Sequence, residues 1–161
     1  MGWLRRNRLP DDVRARLGRG ERVLAHAASP SGPLVATDRA LHLPDGHAAP
    51  WERVDRARWS EEGLVFTEEG FGERTYAMAE PGSLAEVVFE RVTATIVVSR
   101  HVPLAEGDDG PRGVRLVARR PPGGADITWH LRFDEGVDPG DPDVRARSAA
   151  ALADLREQMG I

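Results

Sequence analysis

The stretch Ile127-Thr128-Trp129-His130-Leu131-Arg132-Phe133 alternates apolar and polar residues at nearly every step, with Ile127, Trp129, Leu131 and Phe133 on one parity. A period of two is what a strand with one buried face requires. The same alternation runs upstream through Val114, Leu116 and Ala118 and, before them, through Ile96, Val98, Val102 and Leu104. Loops over 106–113 and at Pro121-Pro122-Gly123-Gly124 separate the three runs, so this third of the chain predicts an antiparallel meander with one face on a core. Asp141-Pro142 then opens a helix, with Asp141 as N-cap and Pro142 at the first helical position, where its missing N–H costs nothing. Val144, Ser148, Leu152, Leu155 and Met159 line the inner face of that helix and Gly160 ends it.

Working outward toward the N-terminus, short β-like runs recur between turn residues. The pattern predicts strands over 23–28, 34–37, 40–43, 51–59, 64–67 and 74–78, and such spacing favours a sandwich or barrel. Trp51 and Val54 lie three apart, so the 51–59 run does not alternate; either a bulge re-phases it or Trp51 and Trp59 face opposite sides. Pro81-Gly82 breaks the chain, and Ser83 with Glu86 has the spacing of a capping box. Leu84, Val87, Val88 and Val92 follow at helical spacing, which predicts a helix ending near 93–95. A short helix is expected from Pro10 to near Gly18. Before it, Trp3-Leu4-Arg5-Arg6 offers the reading of an amphipathic foot on an anionic membrane; a frayed or docked terminus is the favoured reading. The expected organisation is an N-terminal segment over 1–20, a β-sandwich with a capping helix over 21–95, and a β3α extension over 96–161.

Composition narrows the function classes. A chain of 161 residues, 40% hydrophobic and 30% charged, suits one substantial core rather than several domains. It contains no Cys, which closes disulfide frameworks, thiolate nucleophiles and Cys-ligated zinc. A net charge of -4 argues against general nucleic-acid binding, and no apolar run reaches the ~20 residues of a membrane span. A cytosolic protein without stable membrane association is expected. All 22 basic residues are Arg, a bias typical of GC-rich genomes, so a single Arg says less here about anion recognition than it would beside Lys.

Two stretches carry a family resemblance. Leu34-Val35-Ala36-Thr37-Asp38-Arg39-Ala40-Leu41, followed by Pro50-Trp51-Glu52-Arg53-Val54, resembles bacterial PH-like domains, which often carry a Thr-Asp/Asn-x-Arg-like hairpin turn and then a Pro-Trp-x-x-Ile/Val strand; here Arg39 directly follows Asp38. The chain as a whole, including Glu90-Arg91-Val92-Thr93-Ala94, Ala118-Arg119-Arg120-Pro121-Pro122 and Asp138-Pro139-Gly140-Asp141-Pro142, is similar to a group of small uncharacterised proteins from GC-rich Gram-positive bacteria. The PH-like resemblance spans residues 21 to about 95 and implies a bent β-sandwich closed at one end by the helix after Ser83. The fold class is therefore read as α+β, a PH-like β-sandwich or barrel with its helix, plus the meander and C-terminal helix. The resemblance leaves the ligand open, because a fold does not fix function.

Catalytic signatures are missing. His26, His42, His47, His101 and His130 show neither His-x-His nor i, i+4 spacing, and the acidic run from Asp134 to Asp143 lacks the order of a calcium loop. No Gly-x-Ser-x-Gly or Walker-type loop occurs. No metal and no cofactor are expected. One constellation stands out: the polar parity of the last three strands places Arg115, Arg119, Arg132, His130 and His101 on the face away from the core, a candidate binding patch for an anion or an acidic partner surface. The leading reading is a non-enzymatic interaction domain with a protein partner. The alternative is a small-ligand or anion-binding protein, or an enzyme, with a pocket built from Trp51, Trp59 and Trp129 and the Arg/His groups; a homo-oligomeric structural subunit is a third reading.

Overall fold

A computed structural model describes residues 9–161. The chain divides into two compact units, one running to Ala94 and one from Thr95 to Ile161. Both follow an α+β plan in which antiparallel sheets dominate and helices are few. Met1 to Arg8, with the Trp3-Leu4-Arg5-Arg6 stretch, lie outside the described residues.

In the first unit, a short helix α1 (Asp11–Arg16) precedes strands β1 (Val23–Ser29), β2 (Gly32–Thr37), β3 (Ala40–His42) and β4 (Ala48–Pro50), which form one sheet in that order. A single 3-10 turn, Trp51–Arg53, leads into a second sheet of β5 (Val54–Ser60), β6 (Gly63–Glu68) and β7 (Gly72–Tyr76), and helix α2 (Leu84–Ala94) follows. Side chains from both sheets and the helix share one core. Leu34, Leu41, Leu43, Trp51, Leu64 and Phe66 meet Leu84 and Val88 of α2 there, each almost wholly withdrawn from water. Val35 points the other way from Leu34 and Ala36, as strand alternation demands, and Leu9 and Val13 cover it from outside the sheet.

The expected 51–59 strand is corrected by this arrangement. Residues 51–53 turn, so Trp51 and Val54, three apart, can both enter the core before the extended run begins; a bulge between Val54 and Arg56 then sets the register. The short strand β4 was not anticipated, because Ala48-Ala49-Pro50 offers no alternation to read. The sheets stay open and separate among the described residues, so the barrel form of the expectation does not hold. Helix α2 begins where its capping sequence indicates, with the Ser83 carbonyl accepting the Val87 amide at 3.0 Å.

In the second unit, β8 (Ile96–Gly107), β9 (Gly110–Arg119) and β10 (Thr128–Phe133) form the expected meander, with β9 in the middle. The loop read over 106–113 is shorter than its composition suggested: β8 and β9 pair out to Gly107 and Gly110. Helix α3 (Pro142–Met159) lays Leu155, Leu152 and Ala151 against Val114, Leu116, Trp129, Leu131 and Phe133. The Asp141 carboxylate caps it by accepting the Asp143 and Val144 amides at 2.9 and 3.2 Å, and Gly160 ends it in the left-handed conformation. No helix among the described residues is long and apolar enough to cross a membrane.

Candidate functional site

Strand register brings the expected basic residues onto one sheet face. Arg115 of β9 stands opposite both His101 of β8 and Arg132 of β10, the next row holds His130 beside Val117, and Arg119 pairs with Thr128 beyond it. Their surroundings then separate them. Arg115 is exposed, with its guanidinium donating to the Ser99 hydroxyl at 3.2 Å, while His101, His130 and Arg132 are half-buried. Arg119 is only 2% exposed and donates to the buried Thr95 hydroxyl at 2.6 Å, so it offers no surface to a partner. The Nε2 of His101 lies 2.7 Å from Asp134 Oδ2, which also accepts the Gly113 amide. Those bonds, His101 first, hold the Asp134 carboxyl below its usual range. The face is thus a row with one open cation, Arg115, rather than a plane of five.

The three indole rings of the alternative reading have different surroundings within their own units. Trp51 has no exposed surface in the first unit, Trp129 packs under α3 in the second, and Trp59 is open, at 46% exposure. Two other histidines serve as struts within the first unit. His42 Nε2 lies 2.7 Å from Glu21 Oε2, and His47 Nε2 approaches both oxygens of the buried Glu68 carboxylate at 2.9 and 2.8 Å. The His47 ring also lies against Phe71, over which Arg74 is placed. Among the described residues no three His, Asp or Glu side chains gather as a metal would need.

The most partner-like feature lies between β5 and α2. Trp59 pairs with Leu64 across the β5–β6 ladder, which puts it on the core-facing side of its strand, yet the core ends before reaching it. Phe89 follows Val88 on α2, sits off the buried Leu84–Val88–Val92 stripe, and is 64% exposed. These rings flank an open groove of about 270 Å³ floored by Ala57, Leu64 and Ala85, with Arg58 and Glu86 on its margins. Strand β5 is also an edge of its sheet, paired with β6 on one side. Sequence reasoning did not find this groove. Its available signal was Phe89, a large aromatic on the outward face of an amphipathic helix, where burial gives no reason for it.

No family model, no curated protein and no solved structure matches the chain.

Proposed function

We propose that this chain is a non-enzymatic, PH-like interaction module that binds a protein partner through the β5–α2 groove. The observation that carries the reading is the pair of exposed rings, Trp59 and Phe89, lining one groove with the apolar side chains Ala57, Leu64 and Ala85. Folding gains nothing from leaving both in water, and aromatic side chains around a pocket are the residue types on which binding energy concentrates. The partner this groove suits is a polypeptide segment that inserts one bulky aliphatic or aromatic side chain between the rings. Arg58 and Glu86 supply one charge of each sign at the margins, so such a segment carries polar residues on both sides of its anchor. The plan of the first unit, two antiparallel sheets followed by a helix that completes their core, supports the PH-like part of the reading.

Peptide-display selection against the folded chain, followed by titration of the selected peptides, tests this. Selected sequences should share one large apolar anchor, and their affinity should fall by about 2 kcal/mol or more on Trp59→Ala or Phe89→Ala. Arg115→Ala should leave it unchanged. Peptides that bind equally well to both groove variants would remove the groove from the proposal; loss on Arg115→Ala alone would move the site to the β9 face.

A further inference from the structure

We infer that the first unit carries a second docking surface, distinct from the β5–α2 groove: a trough beside the β1–β2 turn that takes an extended, basic segment of a partner protein as an added strand on β1. Two open depressions, of about 690 and 530 Å³, share Ala28, Ser29 and Ala79 and so run into one another. Each is within the size range of ligand pockets. One wall is the end of β1. The other is the chain that leaves β7, where residues 77–80 join neither a strand nor a helix. Ala27, Pro33, Ala77 and Met78 make the lining apolar and shallow, a shape that accepts side chains of modest size.

The ladder shows what the backbone offers there. Ser29 and Gly32 flank the two-residue turn Pro30-Ser31 and form its closing hydrogen-bonded pair. Pairs alternate along an antiparallel ladder, so the next one, Ala28 with Pro33, turns its amide and carbonyl groups outward. Proline suits that position because it has no N–H to give. Strand β1 is an edge of its sheet, so the N–H and C=O of Ala28 face the open side, where an incoming strand can pair with them. Charge then selects the partner. Glu80 lines one depression and Glu61 and Glu62 the other; all three are exposed, and among the described residues none of them is paired with a cation. No Arg lines either depression, in a chain with 22 of them, and His26 is the one further titratable group in the lining. Apolar walls with unpaired carboxylates at the margins favour a segment that alternates small apolar and basic residues and disfavour an acidic one.

A short peptide alternating valine and arginine, capped at both ends, is the probe, titrated into the isotope-enriched full chain. The amide signals of Ala28, Ser29 and Ala79 should shift in a saturable way, while those of α3 stay in place. The affinity should fall by about tenfold or more on Glu61→Arg/Glu62→Arg and be unchanged on Trp59→Ala, which separates this surface from the β5–α2 groove. The same peptide with glutamate in place of arginine should not bind, and neither should the peptide N-methylated throughout, which keeps its side chains but has no N–H to give. Unchanged positions of the Leu34 and Val88 signals show that each variant is folded. Unmoved Ala28 and Ala79 signals, equal binding of the acidic or the N-methylated peptide, or affinity that survives Glu61→Arg/Glu62→Arg overturns the inference. Loss on Trp59→Ala overturns it in favour of the groove. The same shifts with arginine amide alone overturn it in favour of a small organic cation.

Discussion

The indole N–H of Trp51 donates to the carbonyl oxygen of Thr37 at 2.8 Å, with no part of Trp51 exposed. This bond joins the end of β2 to the 3-10 turn after β4. The Thr37 hydroxyl accepts the Arg39 and Ala40 amides at 3.1 Å, and Asp38 Oδ1 accepts the Arg22 amide at 2.8 Å. Thr37, Asp38 and Trp51 are therefore architectural. Trp51→Phe, which keeps an aromatic ring and removes the donor, should cost about 1–3 kcal/mol, and Trp51→Ala about 3–5 kcal/mol. Urea midpoints for both variants check this; an unchanged midpoint for Trp51→Phe would mean the Thr37 carbonyl finds another donor.

Glu21 is the hub of the neighbouring network. Burial pushes its carboxyl up, but hydrogen bonds from His42, Thr37 and the Gly18 amide together outweigh that and hold it below its usual range. A carboxylate depressed in the folded state adds stability that is complete above the unfolded value, near 4.3, and that disappears as pH falls through the folded one. Glu21→Ala should thus cost about 1–3 kcal/mol at neutral pH, by stranding the Thr37 hydroxyl and His42, and progressively less on acidification. Denaturation of wild type and variant between pH 7 and pH 3 reads the narrowing gap; a constant gap would contradict the linkage.

Arg115 and Arg119 lie four residues apart on one face of β9 and should behave oppositely. Arg119→Ala removes a charged donor from the buried Thr95 hydroxyl and should destabilise by about 1.5–3 kcal/mol. Arg115→Ala, at an exposed position, should stay within about 0.5 kcal/mol of wild type. Thermal denaturation of the two variants side by side distinguishes them.

The same logic separates Leu84 from Phe89 on α2. Leu84 is fully buried, and Leu84→Ala should cost about 2–5 kcal/mol. Phe89→Ala, at a side chain nearly two-thirds exposed, should cost no more than about 0.5 kcal/mol while abolishing anchored peptide binding. A large stability loss on Phe89→Ala would assign the ring to folding rather than to recognition.

Gly63, at the β5–β6 turn, has φ +123°, and an added Cβ would stand 2.1 Å from the Tyr76 carbonyl oxygen. Gly63→Ala therefore combines backbone strain of about 1–2 kcal/mol with a clash that β7 must move to relieve. Weakened amide protection across β6 and β7, measured by hydrogen exchange, is the expected result; protection equal to wild type would show that the turn can re-form around an alanine.

Period-two alternation and helix-end chemistry were enough, without any tertiary information, to place the meander, its buried face, the α3 caps and the Leu84–Val88–Val92 stripe. These are local properties, because strand pleat and helix pitch impose them residue by residue. Tertiary structure decided what depends on where the core ends. Trp51 and Trp59 are the same residue type at the two ends of one apparent strand, yet a 3-10 turn takes one inside and the edge of the core leaves the other in water. Arg115 and Arg119 share a parity that the sequence reveals, but their burial depends on what lies above the sheet, to which alternation is blind. The groove between Trp59 and Phe89 joins positions thirty residues apart and exists only because α2 packs beside β5, a non-local contact that no spacing in the chain records.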